Sequence, residues 1–482
     1  PPLRLDDDAP ELRAGLDRIR AEFDVPGPHS AAAVSEATEA ARRVLGGLGA
    51  ASDAGRRDAR DIELVTIDPP GSRDLDQALH IQRRQQGWRV RYAIADVPAF
   101  VVERGALARE VEDRGVTFYL PDHRSPLYPP SLSEDAASLL PGQDRAAVLW
   151  TIDLASDGAV SSSHLERAIV RSRAQLTYAE VQVDIDSGRS SETLPLLAEV
   201  GRVRQEAEAA RDGVSLDLPS QLVVGEGGRY RLAWELSVPA MGWNAQISLL
   251  TGMVAAEAML RAGVGLLRTL PPPDHQVIET VRRTATALGV TWPAGATYAS
   301  VVRHLDGADS DQAAILALAA RGLRGAGYLA LGTGSPPPED PALLRHAAVA
   351  APYAHVTAPL RRLCDRASIE VCLALYAGQT VSAEVVAELA GLPKAMARTR
   401  AREGGAARAV VDLVEALTLA PRVGAVLDAT VVASGPKRST IVVHDLAVQA
   451  DIDGATLPLG DTVSVRIEAA DPVARRVRFA AV

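Results

Sequence analysis

The chain of 482 residues is too long for one ordinary domain and long enough to bury more than one core. Apolar residues make up 47%, which excludes a disordered protein, and a net charge of −10 argues against a generic nucleic-acid coat while leaving room for a local basic channel. The two cysteines, Cys364 and Cys372, form no CxxC pair, no apolar run reaches spanning length and no signal peptide opens the chain; a cytoplasmic protein without disulfides, zinc ribbon or membrane contact is expected.

Residues 8 to 50 are expected to be helical, because Asp8 and Pro10 suit a helix start and Leu12, Leu16, Ile19 and Phe23 recur at helical spacing. This segment, 1–58, is either a lead-in packed on the next domain or a helix-turn-helix module, and its few clustered Lys and Arg favour the lead-in. The pattern changes near residue 61. "DIELVTID" suits a strand, and "QALHIQRRQQGWRVRYAIAD" suits two strands joined at Gln86-Gly87. Strand-like runs recur at "AAVLWTIDLAS" and "SSHLERAIVRS", after which residues 196 to 375 turn helical between Pro-rich breaks at 271–273 and 336–338. A charged, Ala-rich helix over roughly 381 to 418 closes one large mixed α+β domain, 59–420. Short, evenly spaced strands over 421–482 predict a five-stranded barrel of the oligonucleotide-binding type, with any small β-barrel as the alternative. Phe479 is its only stacking aromatic, so modest RNA affinity is expected there.

The run "TIDPPGSRDLDQALH" (66–80) crowds Asp68, Asp74 and Asp76 around a Pro-Pro-Gly turn. Three ionised carboxylates in a pocket are costly unless a cation sits between them, and Mg²⁺ is the simplest such cation. A solvated acidic turn is the competing reading. The spacing is not that of an EF-hand, since no Gly or Glu falls at the required places.

The same run resembles the acidic motif of the ribonuclease II family, exoribonucleases with an RNB catalytic domain. Further resemblances follow in order: "AIADVPAFV" (93–101), "GVTFYLPDHRSPLYPPSLSEDAASLLPGQDR" (115–145), "SRAQLTYAEVQ" (172–182) and "YAHVTAPLRRLCDRASIEVCLAL" (353–375). "LPLGDTVSVRIEAADPVARRVRF" near the end resembles an S1 RNA-binding domain. The resemblance implies Mg²⁺-dependent hydrolytic 3′→5′ degradation of RNA to nucleoside 5′-monophosphates, with Mn²⁺ as the alternative ion. It implies that Asp68, Asp74 and Asp76 hold the metal and that Arg361 contacts the scissile phosphate, for which a planar guanidinium suits two oxygens. Tyr119 and Tyr178 match aromatics that hold terminal bases, with an ordinary core tyrosine as the other reading of Tyr178. His355, Thr357 and Arg362, in the same motif as Arg361, complete the implied RNA contacts. The implied partner is the 3′ end of single-stranded RNA, with structured RNA as a further class, and a monomer is expected.

Four departures stand out. Gln77 replaces a fourth family aspartate, and as a neutral oxygen it is expected to complete the metal site without neutralising charge. The family Thr-Ser-Pro-Ile-Arg run is Thr357-Ala358-Pro359-Leu360-Arg361, and a helix that usually carries paired glutamates has Gln246. Only about 60 residues precede the catalytic domain, so the two cold-shock barrels common in the family are expected to be absent. The rival functions are an RNA-binding protein that kept the fold and lost catalysis, and a phosphodiesterase for small nucleotides, which the S1-like tail disfavours.

Overall fold

The computed structural model describes residues 5–6, 9–48, 55–188, 192–215, 221–226, 229–234, 237–307, 309–435, 437–454 and 456–482. Its centre is a seven-stranded sheet in the order Ala174–Leu176, Val65–Ile67, Gln77–Arg84, Gly87–Ala95, Asp144–Leu154, Val160–Arg171, Arg57–Asp58. The two outermost pairings are parallel and the inner ones antiparallel. The expected hairpin is present, with Arg84 opposite Gly87. Gly87 is required there: its φ is +106°, and a Cβ would lie 2.0 Å from the Leu154 carbonyl oxygen. At the far end of that strand Tyr92, Ala93, Ile94 and Ala95 are all buried, so side chains on both faces are covered.

One cover is the helix Pro239–Ala262, which is buried nearly all round. Among the described residues no helix is long and apolar enough to cross a membrane. The stretch expected to be helical from 196 to 375 also holds two hairpins: Gln221–Glu226 with Arg229–Trp234, and Gly265–Thr269 with Gly327–Leu331. These strands of five or six residues show no local turn signal in the second pair, because three helices intervene.

The N-terminal helices, Pro10–Glu22 and Ala31–Gly47, pack on different bodies. Leu12, Leu16 and Ile19 join a cluster with Val410, Leu413 and the barrel, whereas Ala33, Ala37 and Ala40 face the main core. Gly15 lies so close to the long helix that a Cβ would meet Leu413 Cδ2 at 2.5 Å. This divided packing is that of a lead-in packed on its neighbours; positions 8 and 49–50 of the expected helical segment lie outside the described residues.

The Ala-rich stretch is a single 37-residue helix, Ala383–Leu419, capped by Ser382 and running through Pro393. At 1.5 Å per residue it is about 55 Å long. Leu389, Leu392 and Met396 anchor its first half in the main core; Ala406, Val410, Leu413 and Val414 anchor its second half against the barrel. The barrel has the expected five strands, in the order Val448–Asp453, Arg438–Val443, Val426–Ser434, Thr462–Asp471, Arg476–Ala481, all antiparallel. Phe479 is 5% exposed and packs with Val431, Ile441, Val465 and Ile467. It is therefore a core residue and not the stacking surface expected of it.

Candidate active site

Asp68 follows directly on the strand Val65–Ile67, and its amide donates to the Leu176 carbonyl at 2.9 Å. The chain turns at Pro69-Pro70-Gly71, with Gly71 at φ +78°. Ser138 then ties the returning limb down. Its hydroxyl donates to the Arg73 carbonyl at 2.6 Å and accepts from the Leu75 amide at 3.0 Å. Leu75 is fully buried, which fixes Asp74 and Asp76 on either side of it.

The three aspartates are handled differently. Asp76 is buried, and burial pushes its pKa up to about 7 even though Arg361 and the Leu360 amide favour the charged form. Leu360 N–H donates to Asp76 Oδ1 at 2.7 Å, and Arg361 Nε to Oδ2 at 3.3 Å. Asp68 is pushed up to about 6, again mainly by burial, and its Oδ2 is buried without a hydrogen-bond partner. Asp74 is held by Arg124 at 2.7 Å and by the Tyr119 hydroxyl at 2.8 Å, and Arg124 also pairs with Glu134 at 2.5 Å.

In this conformation the aspartates do not close into one tight set. Among the described residues, only His355, Cys364 and Asp365 bring three ligand atoms within 4.8 Å of one another. That trio is already satisfied by protein groups. Asp365 accepts from the Ala358 amide at 2.7 Å and from both ends of Arg362 at 2.8 and 2.9 Å. His355 Nδ1 bonds the Tyr328 hydroxyl at 2.8 Å, and burial beside Arg362 and Arg268 holds its pKa well below the ordinary range. A guanidinium beside the trio opposes a metal ion there.

Gln77 has a different place from the one expected. Its Nε2 donates to the Thr357 carbonyl at 2.6 Å, and its Oε1 accepts from Tyr92 Oη at 2.6 Å. Tyr92 Oη is also 2.8 Å from Ser248 Oγ. Gln77 thus joins the aspartate strand to the loop carrying Arg361 and, through Tyr92, to the buried helix. Both polar ends of the Gln77 side chain, expected to complete a metal site, are engaged here in tying the aspartate strand to that loop.

Of the expected RNA contacts, Tyr119 is 56% exposed and the Arg361 side chain 46% exposed. Tyr178 opens the helix Tyr178–Ser187 behind a Thr177/Glu180 capping box and is half-buried, in hydrogen-bond contact with Asn244. Arg362 is paired with Asp365, His355 packs against Tyr328 and Tyr353, and Thr357 is buried. Gln246 clips two helices together through Glu208, at 2.5 Å. Sequence reasoning missed Arg124, Tyr92, Ser248 and Asp365. Arg124 and Asp365 lay inside quoted motifs, and the Arg362–Asp365 spacing of three on a helix was a usable signal.

The donor set suits a hard divalent cation. Asp68, Asp74 and Asp76 offer only oxygen, the buried Asp76 and half-buried Asp68 lack full compensation, and one buried Asp68 oxygen has no partner.

The RNB domain model matches residues 56–369, which hold every aspartate and arginine of this site. The chain belongs to the RNB family. The tail, 425–482, matches the RNase II-type exonuclease C-terminal S1 domain. This RNB protein is 29% identical over 327 residues to Exosome complex exonuclease RRP44 homolog A of Arabidopsis thaliana, covering 64% of this chain and 34% of that protein. It is 27% identical over 481 residues to Ribonuclease R of Escherichia coli, covering 88% and 57%. The chain therefore spans between a third and three fifths of the length of these curated relatives. Among solved structures, Mycoplasma genitalium RNase R in complex with ribose methylated single-stranded RNA shares the fold, with a TM-score of 0.85 at 16% identity, over 98% of this chain and 78% of that one.

Proposed function

We propose that this RNB protein is a hydrolytic 3′→5′ exoribonuclease that releases nucleoside 5′-monophosphates with the help of Mg²⁺, Mn²⁺ being the alternative. The observation that carries the reading is the pairing of two undercompensated carboxylates, the half-buried Asp68 and the buried Asp76, with a half-exposed Arg361 anchored on Asp76. Asp68, Asp74 and Asp76 would hold the ion, which supplies an activated water and neutralises charge on the transferring phosphoryl group. Asp74 reaches it only by giving up Arg124 and Tyr119.

Arg361 keeps one edge on Asp76 and offers the other to a phosphate, so the same guanidinium orients the carboxylate and receives the substrate. The Leu360 amide holds the other Asp76 oxygen, which fixes the carboxylate's direction. Tyr119 presents a ring to a base without reading its identity, as a general degradative enzyme needs. The proposed substrate is the 3′ end of single-stranded RNA, with structured RNA as a further class; the M. genitalium relative is described in complex with ribose methylated single-stranded RNA. A monomer in a reducing cytoplasm accords with two buried, unpaired cysteines.

The second reading is an RNA-binding RNB protein with weakened catalysis. It is favoured by the occupation of Asp74 by Arg124 and by the neutral Gln77 at the fourth aspartate's position. A 5′-labelled and a 3′-labelled oligoribonucleotide, incubated with Mg²⁺ or EDTA and sized, decide between them. Progressive shortening from the 3′ end with a mononucleotide product supports the exoribonuclease; binding without shortening at any Mg²⁺ or Mn²⁺ concentration leaves the second reading.

A further inference from the structure

Beyond Arg361 the chain builds a second cationic site that the acidic motif does not use. Arg268 lies on the strand Gly265–Thr269, directly opposite Tyr328. Its guanidinium carbon sits 4.6 Å from the centre of the Tyr328 ring, and its Nη1 donates to the Gly327 carbonyl at 3.2 Å. Arg400, on the helix Ala383–Leu419, donates Nη1 to the neighbouring Ala326 carbonyl at 2.9 Å. Two arginines from separate elements are therefore anchored on consecutive carbonyls at the edge of one hairpin.

Among the described residues neither has a carboxylate within ion-pair distance, while most other arginines near the site do. Glu403, one turn further along the helix, shares the field of Arg400 with that of Arg408 but makes no ion pair. Arg268 is half-buried, and it feels the positive charges of Arg400 and Arg362. Holding the half-buried Arg268 without a carboxylate, beside the exposed Arg400, is unfavourable unless an anion completes the pair. It is also against the grain of a chain with net charge −10.

A chain of contacts leads from Arg268 to the loop that carries Arg361. Tyr328, beneath Arg268, bonds His355 through its hydroxyl, and His355 lies in the field of Arg361, Arg362 and Arg268 together. His346, further along, lies in that of Arg268 and Arg400, and its buried Nδ1 has no partner. Both histidines are held neutral there, so they do not add to the repulsion.

We infer that Arg268 and Arg400 form a phosphate-binding subsite next to Arg361, resting on the proposed RNA-degrading function. Its ligand is a nucleotide phosphate, either an internucleotide phosphate of the bound RNA or the 5′-phosphate of the released product. Each guanidinium keeps one edge on a hairpin carbonyl and has other N–H groups for phosphate oxygens.

The test uses the full chain with Arg268→Gln, Arg400→Gln and the double variant, and Arg282→Gln, an exposed arginine paired with Glu279, as the control for charge alone. RNA binding is measured in EDTA across a salt series, and inhibition of cleavage by nucleoside 5′-monophosphate is measured with Mg²⁺. An internucleotide phosphate predicts that each variant flattens the plot of log affinity against log salt by about 0.7 to 1, with the control unchanged. A product phosphate predicts unchanged RNA binding and weakened inhibition by the monophosphate. If both readouts match wild type, or the control moves as much as the variants, the subsite is overturned. Should Arg268→Gln fail to fold by thermal melting, the exposed Arg400→Gln decides alone. Wild type that binds neither RNA nor monophosphate overturns the proposed function as well, which separates the two failures.

Discussion

Asp76→Asn should make the metal-free protein more stable at neutral pH while abolishing its hydrolytic activity. Asp76 is buried and its folded-state pKa is about 7, against 3.8 for the unpaired group. A raised carboxylate pKa means that the folded state binds the extra proton. Its contribution to stability is complete below about pH 4 and is lost as pH rises through 7. The difference of roughly three pKa steps, at 1.36 kcal/mol each, corresponds to about 4 kcal/mol of destabilisation at pH 8 relative to a non-titrating side chain. Asn keeps the shape, can still accept from Leu360 N–H, and carries no charge to desolvate. For a chain of 482 residues an unfolding entropy of about 2 cal/mol/K per residue gives about 1 kcal/mol per degree, so the variant should melt about 4 °C higher at pH 8 in EDTA. At pH 5.5 the gap should shrink by about half, since wild type then regains its proton. Differential scanning of both proteins from pH 5.5 to 8 checks this, and saturating Mg²⁺ should raise the wild-type melting point more than that of the variant. A gap between the two proteins that does not change with pH would refute the burial of an undercompensated Asp76. Turnover at the wild-type rate would refute its place in the active site.

The remaining outcomes follow from single contacts. Gln77→Asp shortens the side chain and turns a carboxylate towards the Thr357 carbonyl where an N–H now donates; it should cost about 1–3 kcal/mol in stability and leave the Mg²⁺ requirement no lower, as a metal titration with parallel melts will show. A clear fall in that requirement would return Gln77 to the metal. Arg361→Lys should slow single-turnover cleavage on the order of 10²-fold with RNA saturating, because a point charge cannot hold Asp76 and a phosphate at once; an unchanged rate removes Arg361 from the site. Phe479→Ala should cost about 3–5 kcal/mol, read as a lower melting temperature, while RNA affinity measured well below the melt stays near wild type; a selective loss of RNA affinity would restore Phe479 as a contact.

Much of this was legible in the sequence where the signal is local. The strand pair joined at Gln86-Gly87 announces itself by a turn that only glycine fits, and the five barrel strands by their even spacing. Asp68, Asp74 and Asp76 stand out as like charges around a Pro-Pro-Gly turn, and the resemblance to the ribonuclease II family is what assigns them a metal. What escaped is non-local. Gln77 looks like a weakened ligand beside Asp76, but its partners are Thr357 and Tyr92, the first 280 positions away. The hairpin holding Arg268 escaped for the same cause, since its strands are separated by three helices. Arg362 follows Arg361 in the motif, and Asp365, three residues on, is the local signal for its ion pair. Phe479 could have been placed from the alternation of Arg476, Val477, Arg478 and Phe479, which sets the ring on the inner face.

Each of the site's three carboxylates has its own compensation within the protein. Asp76 leans on Arg361 and a backbone amide, Asp74 on Arg124 and Tyr119, and Asp68 on partial neutralisation by a raised pKa. Each device is one that a divalent ion can displace at a different cost: a proton from Asp68 and Asp76, a guanidinium from Asp74. Proton competition fades as pH rises past 7, while the guanidinium stays charged throughout. Arg124 is therefore the permanent competitor, and its second carboxylate, Glu134, gives it somewhere to remain when Asp74 leaves. In that arrangement Gln77 has no ligand to replace; its neutral amide is what lets the aspartate strand and the arginine loop be tied together without adding a fourth charge to a site that already strains to hold three.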